Sequence, residues 1–159
     1  MLHRCPGCGE ALPQGLPAWV KDLTAAHVMT SNPVTMGPED SLMRATEMMR
    51  LHSIRRIPIV AGGVLMGILA EGDLKRAQPS TLSDTHEEFE RVMESTPVSR
   101  IMIPRPLTIV EDTPLLEIAR ILSSTKFGAL PVLRDGVLVG IVTDNDLLKH
   151  LTSLLEQAG

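Results

Sequence analysis

The sequence predicts an α+β fold in which two β-α-β-β-α repeats pack together with pseudo-twofold symmetry. The main support is an internal repeat, because a shift of 73 residues aligns positions 28–74 with 101–147 without a gap and makes 12 of the 47 pairs identical. A repeat of this length indicates that each copy is one structural unit. Both copies also carry, in the same order, an amphipathic helix, β-rich runs and a glycine turn. The predicted division is a tail at 1–22, a repeat at 23–78, a linker helix at 79–97, a repeat at 98–153 and a tail at 154–159.

The composition argues against several classes of function. The 159-residue chain is long enough to bury a core. Its net charge is −4 and like charges do not cluster, so we expect neither nucleic acid nor an anionic membrane surface as a partner. Its aromatic residues are Trp19, Phe89 and Phe127, which are too few to favour base stacking on single strands. We find no signal peptide and no apolar stretch of membrane-spanning length, and therefore expect a cytoplasmic protein.

The N-terminal tail contains Cys5 and Cys8 in a Cys-Pro-Gly-Cys-Gly turn. Such a turn can aim two thiolates at one zinc ion, but a structural zinc needs four ligands and the chain has no other cysteine. His3 with His27, or the same two cysteines on a second subunit, would have to complete the set. A redox role is weaker, because the βαβ context of a thioredoxin-like site is missing. We favour a flexible tail with two reduced thiols and keep zinc as the alternative.

Each repeat is predicted to begin with a short strand and a helix. In the first repeat, residues 33–36 predict an edge strand, and Ser41 supplies an N-cap signal for the helix. In the second repeat, Thr113 is predicted to cap the helix, with Pro114 at the first helical position. A stripe of residues on the first helix has helical spacing, and its Met and Leu side chains are predicted to belong to the core or an interface rather than to contact a ligand. Its members are Leu42, Ala45, Met48, Met49 and His52.

A β-hairpin is predicted after each of these helices. Gly62-Gly63 and Asp135-Gly136 each separate two β-rich runs, a pattern that favours a tight two-residue turn. Between the repeats, Asp84 and Glu87 have the spacing of a capping box. This spacing predicts that the linker is a helix rather than a disordered tether.

The second hairpin ends in a short polar segment with the chemistry of a nucleotide site. Thr143 and Asp146 lie where the last strand meets the last helix. The positive end of that helix favours an anionic group, Thr143 can donate to a phosphate oxygen, and Asp146 can accept from two ribose hydroxyls. The alternative is that both residues simply cap the helix. At the same place in the first repeat Asp73 is present, but Ala70 replaces the threonine.

The ordered series of motifs resembles a tandem pair of CBS domains, also called a Bateman module. Each copy carries a Met followed by Pro-hydrophobic-Thr, an amphipathic helix, hydrophobic-Pro-hydrophobic, Gly-Val-Leu-x-Gly-Ile and a terminal Asp. The resemblance covers roughly Leu23 to Leu151. The insert between the repeats is also similar to that of stand-alone CBS pairs of the acetoin-utilisation type. Such modules usually bind adenine nucleotides or S-adenosylmethionine and report metabolic state.

The resemblance implies a cleft between the repeats that holds AMP, ADP, ATP or S-adenosylmethionine. Arg55 and Arg56 stand where relatives commonly carry basic residues that contact phosphate, and the alternative is a pair of surface ion pairs. Their counterparts are Gly128 and Ala129, although Lys126 could supply charge in the second repeat. The full set of implied ligand contacts is Thr143, Asp146, Asp144, Thr108, Ala129, Pro131, Arg55, Arg56 and Asp73.

The two clefts are predicted to differ. Because Ala70 removes the hydroxyl of the first repeat, we predict that the Thr143/Asp146 cleft is the better nucleotide site. The Asp73 cleft is then predicted to be weak, empty or altered in preference.

For the whole chain we expect a regulatory sensor that forms a homodimer and acts on an effector protein that the sequence does not reveal. The alternative is an interaction scaffold with no small-molecule ligand. An enzyme is not expected, because the sequence shows no nucleophile with its base, no phosphate-binding loop and no complete metal site.

Overall fold

The computed structural model describes residues 18–80 and 85–158. Short 3₁₀ helices at Ala18–Asp22 and Val98–Arg100 precede the two repeats. The α-helices are α1 (Ala25–Val28), α2 (Leu42–His52), α3 (Glu71–Ala77), α4 (His86–Ser95), α5 (Leu115–Ser124) and α6 (Asp144–Ala158). The strands are β1 (Thr30–Ser31), β2 (Arg56–Ala61), β3 (Val64–Ala70), β4 (Ile103–Pro104), β5 (Ile109–Val110), β6 (Ala129–Arg134) and β7 (Val137–Thr143). The predicted α+β fold is confirmed, whereas the metal candidates Cys5, Cys8 and His3 lie outside the described residues.

The two repeats exchange their first strands. β1 of the first repeat pairs antiparallel with β7 of the second and sets Thr30 opposite Ile141. β4 of the second repeat pairs antiparallel with β3 of the first and sets Ile103 opposite Ile68. The sheets therefore have the orders β1-β7-β6-β5 and β2-β3-β4. Since each sheet includes a strand from the other repeat, the two repeats are joined into one structural unit.

Gly67 and Gly140 allow the exchanged strands to approach closely. A Cβ atom on Gly67 would lie 2.6 Å from Sδ of Met102 and 2.8 Å from the backbone oxygen of Ile103. A Cβ atom on Gly140 would collide with Met29 and lie 3.2 Å from the backbone oxygen of Thr30. Both glycines are therefore required by packing against the exchanged segment, in the same way in each repeat.

We predict that Gly67→Ala lowers the free energy of unfolding by about 1–3 kcal/mol, the usual cost of overpacking. Gly37→Ala is the matched control, because its Cβ would lie 3.6 Å from Oδ2 of Asp40, an ordinary contact. Urea unfolding of both variants beside the wild type measures the difference. Equal losses in the two variants would contradict the close-packing argument.

The predicted edge strand at 33–36 is wrong in extent. The two-residue strand β1 forms earlier, and within 33–36 the structure shows a single parallel bridge, between Met36 and Ile59. The equivalent contact in the second repeat is the parallel pair β5 and β6. Pro33 has no N–H to contribute to a ladder, which accounts for part of the shortening.

Three apolar clusters form the core of the described residues: one for each sheet, and a small third one made of Ile68, Ala129 and Ile141 from both sheets. The first cluster includes Leu42 and Met49 of α2 together with Met93 of the linker helix α4. The second includes Ala25 and Val28 of α1, which belong to the first repeat but pack inside the second. In the predicted stripe of α2, Leu42, Ala45 and Met49 are buried, Met48 is half-buried and His52 is exposed. His52 is therefore not a core residue. It ends the helix on its solvent side.

The hairpin predictions are confirmed and the cap predictions are confirmed in part. Gly62-Gly63 and Asp135-Gly136 both have two consecutive positive φ angles, as a tight two-residue turn requires. The Ser41 hydroxyl accepts from the backbone N–H of Arg44 at 3.2 Å. The cap of α4 is Thr85, whose hydroxyl accepts from Glu88, one residue later than the predicted capping box.

The cap predicted at Thr113 is also displaced by one residue. Pro114 is the N-cap of α5, and the Thr113 hydroxyl accepts from the backbone N–H of Val110 at 3.1 Å. Thr113 thus closes the turn between β5 and α5. Of the helices in the described ranges, none has the length and apolarity needed to span a membrane.

A bidentate ion pair links the end of β5 to the end of β6. Nε and Nη2 of Arg134 each lie 2.5 Å from a carboxylate oxygen of Glu111. The hydrogen bonds and the positive charge of Arg134 lower the pKa of Glu111, and Glu111 in turn raises the pKa of Arg134. Because the folded pKa of Glu111 lies below its ordinary value of 4.5, this contribution is complete above that pH and is lost as the pH falls through the lowered pKa.

We therefore predict that Glu111→Gln lowers the thermal midpoint slightly at pH 7 and that the difference from wild type shrinks as the pH is lowered below about 4.5. Thermal melts of both proteins from pH 7 downward provide the comparison. A difference that stays constant into the acid range would show that the pair does not stabilise through its charge.

Candidate functional site

A cavity of about 250 Å³ lies between the two repeats, beside Asp73. Its apolar wall is formed by Ile68, Ala70, Ile103, Pro106, Leu107, Phe127 and Ala129. Its charged residues are Asp73, Arg56, Arg76 and Lys126. The combination of one carboxylate, several cations and an extended apolar surface suits a small ligand with both apolar and anionic parts.

Strand exchange brings these residues together. Ile68 belongs to β3 and Asp73 to α3, both in the first repeat. Ile103 of the exchanged strand β4 lies opposite Ile68, and the chain then continues past Leu107 along the same cavity. The start of β6, at Ala129, closes the other side. Each repeat therefore supplies about half of the wall.

Arg56 reaches the cavity across the interface between the repeats. Its guanidinium packs so closely on Gly128 that a Cβ atom at that position would collide with Nη2 and lie 3.1 Å from Cζ. Nη1 of Arg56 also donates to the backbone oxygen of Arg55 at 3.0 Å. The absence of a side chain at Gly128 is what leaves room for the arginine.

The carboxylate of Asp73 faces the cavity without capping its helix. Asp73 forms an ion pair with Arg76 on the next turn of α3, and its side chain is 20% exposed. The N-cap of α3 is Ala70, which has no side-chain oxygen and makes no capping bond. Asp73 therefore takes no part in a helix cap, in contrast to Asp146, the equivalent residue of the second repeat.

Asp146, the counterpart in the second repeat, is engaged in such a cap. Its Oδ2 accepts from the backbone N–H of Thr143 at 2.8 Å and from the Thr143 hydroxyl at 2.9 Å. The Thr143 hydroxyl in turn accepts from the backbone N–H of Asp146 at 3.2 Å. Oδ1 of Asp146 accepts from the Thr30 hydroxyl at 3.3 Å. This is the capping arrangement that was the alternative to ligand binding, and it satisfies both carboxylate oxygens.

The cleft beside Asp146 has a volume of about 310 Å³ but is more open to solvent than the cavity beside Asp73. It is lined by residues of α1, β1 and α6, including His27, Met29, Lys149 and His150. Its lining is more polar than that of the Asp73 cavity. It therefore offers less apolar surface to a nucleobase.

Only some of the ligand-binding residues predicted from the sequence line the cavity or the cleft. Asp73, Arg56 and Ala129 line the cavity, and Asp146 lines the second cleft beside Thr143. Arg55 lines neither of them. Its side chain is 82% exposed and its Nε lies 3.9 Å from Oε2 of Glu71. This is the surface ion pair that was the alternative for the two arginines.

Three further candidates do not line either cavity. Asp144 uses its carboxylate to accept from the backbone N–H of Asn145 at 2.8 Å. Pro131 is fully buried within β6, and Thr108 is half-buried just before β5. Among the residues that the structure describes, no three His, Cys, Asp or Glu side chains gather as a metal site. Cys5 and Cys8 lie outside this part of the chain.

Sequence reasoning missed Arg76, Phe127, Ile103 and Leu107. Arg76 could have been found from its i+3 spacing to Asp73, which places the two on one helix face. The other three required knowledge of the strand exchange. Their distance in sequence from Asp73 gives no local signal that they meet it.

A family model described as CBS domain matches residues 20–80 and 98–153. The chain therefore belongs to the CBS domain family and contains a tandem pair, as the internal repeat predicted. A CBS domain-containing protein of Dictyostelium discoideum is 35% identical over 133 residues, which cover 82% of this chain and 92% of the relative. Several other curated relatives are longer, and the chain spans less than half of their length.

Solved structures of CBS-pair and related proteins have the same fold. A Vibrio cholerae protein assigned to acetoin utilization (AcuB) has a TM-score of 0.75 and 31% identity, over 86% of this chain and 97% of its own. CBSX2 in complex with AMP has a TM-score of 0.68 and 26% identity, over 82% and 97%. The CBS pair of protein MJ0100, in complex with 5′-methylthioadenosine and S-adenosyl-L-methionine, has a TM-score of 0.68 and 25% identity, over 82% and 97%.

The difference between the two caps can be tested by exchanging the residues. We predict that Thr143→Ala destabilises the protein by about 0.5–2 kcal/mol, the usual cost of losing an N-cap. Ala70→Thr, by contrast, is predicted to stabilise, because the new hydroxyl can form the same reciprocal cap with Asp73. Chemical denaturation of the two variants provides the readout. Effects of the same sign would show that the cap difference does not separate the two aspartates.

Proposed function

We propose that this CBS pair is a regulatory module that binds an adenosine-containing ligand in the cavity beside Asp73. The observation that carries the proposal is the combination, in one cavity formed by both repeats, of Asp73, an apolar wall and several cations. The ligands in the complexes of CBSX2 and MJ0100 share an adenosine group. That shared group is what we carry over to this chain.

Each part of such a ligand has a matching surface. The aliphatic side chains of Ile68, Ile103 and Leu107 would hold the adenine ring by apolar contact. The Asp73 carboxylate would accept hydrogen bonds from the two ribose hydroxyls. A volume of about 250 Å³ lies just below the roughly 300–1,000 Å³ typical of ligand pockets, which suits a single nucleoside group.

We further propose that the Asp73 cavity is the stronger of the two sites. The sequence predicts the opposite order, because Ala70 lacks the hydroxyl of Thr143, and that order remains a prediction. Two observations support the reversal. Both carboxylate oxygens of Asp146 accept hydrogen bonds, one from Thr143 in the cap and the other from Thr30. Asp73 is not part of such a cap, because the N-cap residue of its helix is Ala70, which has no side-chain oxygen. The Asp73 cavity is also the more enclosed of the two.

Regulation requires that the ligand distinguish two arrangements of the protein. A ligand in this cavity would touch both repeats, so its binding free energy would depend on how they are placed relative to one another. Tight binding without such a difference would shift nothing. We propose that ligand binding changes how the two subunits of a homodimer are arranged, and that an effector protein responds to this arrangement.

A second candidate function is an interaction scaffold with no small-molecule ligand. The observation that favours it is a row of exposed leucines on α6, Leu148, Leu151 and Leu155, at 61%, 48% and 65% exposure. Their spacing places them on one helix face. The same surface would also serve the proposed homodimer, so ligand binding is what separates the two candidates.

We predict that Asp73→Asn weakens adenosine-ligand binding about 10- to 100-fold, the range for losing hydrogen bonds to a charged group. Asp146→Asn is the matched control and is predicted to have a smaller effect. Isothermal titration of AMP, ADP, ATP and S-adenosylmethionine into the three proteins makes the comparison. If only Asp146→Asn abolishes binding, the order predicted from the sequence is the right one. If no ligand binds while the protein still self-associates, the scaffold is favoured.

A further inference from the structure

The cavity beside Asp73 carries an excess of positive charge. Arg56, Arg76 and Lys126 line it with one acid, Asp73, whose charge is matched by the ion pair with Arg76. Within the described part of the chain, Arg56 and Lys126 form no ion pair with any carboxylate. The chain as a whole has a net charge of −4, so this local excess is not a reflection of the overall composition.

Both unpaired cations line the cavity together with Gly128. The guanidinium of Arg56 lies against Gly128, and Lys126 precedes that glycine by two residues. Arg56 comes from the first repeat and Lys126 from the second. A guanidinium is a strong partner for phosphate because its N–H groups form charge-assisted hydrogen bonds.

We propose that this cavity selects phosphorylated adenosine ligands over S-adenosylmethionine and 5′-methylthioadenosine. This inference rests on the proposed function and adds the charge class of the ligand. A phosphate carries a charge of about −1.5 to −2 at pH 7 and would be attracted by both cations. The sulfonium of S-adenosylmethionine is positive and would be repelled by them. 5′-Methylthioadenosine is neutral at its 5′ end and would gain nothing from either cation.

Gly128→Ala provides a test that leaves the number of charges unchanged. The added methyl group would collide with the far end of the Arg56 side chain, which is flexible and can move out of the cavity. We therefore expect weaker AMP binding without a comparable loss of stability. Arg56→Gln with Lys126→Gln removes both charges, and Arg50→Gln is the control that removes an exposed cation of α2 outside the cavity lining.

The experiment is isothermal titration of AMP, adenosine, S-adenosylmethionine and 5′-methylthioadenosine at low salt and again at higher salt. The wild type is expected to bind AMP at least about tenfold more tightly than adenosine, with a preference that declines as salt rises. The double variant and Gly128→Ala are expected to lose most of this preference, while their adenosine affinity changes by no more than about twofold. Arg50→Gln is expected to behave as wild type.

The outcomes separate this inference from the proposed function. Equal affinity of the wild type for AMP and S-adenosylmethionine, or an unchanged AMP preference in the double variant, would overturn the charge selection and leave adenosine binding in place. A loss of adenosine and AMP binding by the same factor in Gly128→Ala would show that the methyl group blocks the cavity, which also contradicts selection through Arg56. If none of the four compounds binds the wild type, both proposals fail.

Discussion

The reciprocal exchange of first strands is the constraint on which the rest of the structure depends. Because β1 and β4 each complete the sheet of the other repeat, neither repeat can fold its sheet in full alone. Close approach of the exchanged segments explains why Gly67 and Gly140 stand at equivalent places. The exchange also positions Ile103 beside Ile68, so the apolar wall of the cavity is a direct consequence of the strand pairing.

The pseudo-symmetry of the pair makes the difference between its two aspartates informative. Asp73 and Asp146 occupy equivalent positions at the start of α3 and α6. A threonine before Asp146 captures that carboxylate in a reciprocal cap, whereas Ala70 cannot do so for Asp73. One side-chain difference therefore decides whether the carboxylate takes part in a reciprocal helix cap. The missing hydroxyl at Ala70 removes a possible contact with a ligand, but it also leaves the Asp73 carboxylate free of a helix cap.

The sequence predicted well those features that local chemistry determines. Both hairpins follow from paired turn residues with positive φ, and the helix stripe of α2 follows from its spacing. The strand exchange was not predictable in this way, because a 73-residue repeat fits equally well whether each first strand pairs within its own copy or across. For the same reason Phe127 and Leu107 were not identified as cavity residues. The roles of Arg55 and Arg56 differ because adjacent side chains diverge at the start of β2, and sequence alone does not say which of them reaches the cavity.

The placement of the two unpaired cations would connect the proposed ligand chemistry to the proposed regulation. Arg56 belongs to the first repeat and Lys126 to the second, and both stand near Gly128. With the cavity empty of anions, the like charges repel one another and disfavour their close approach. An anionic group held between them would reverse the sign of that interaction and favour the arrangement in which the repeats are close. Such a ligand would have the difference in affinity between two arrangements that a shift in population requires, and a ligand touching one repeat would lack it.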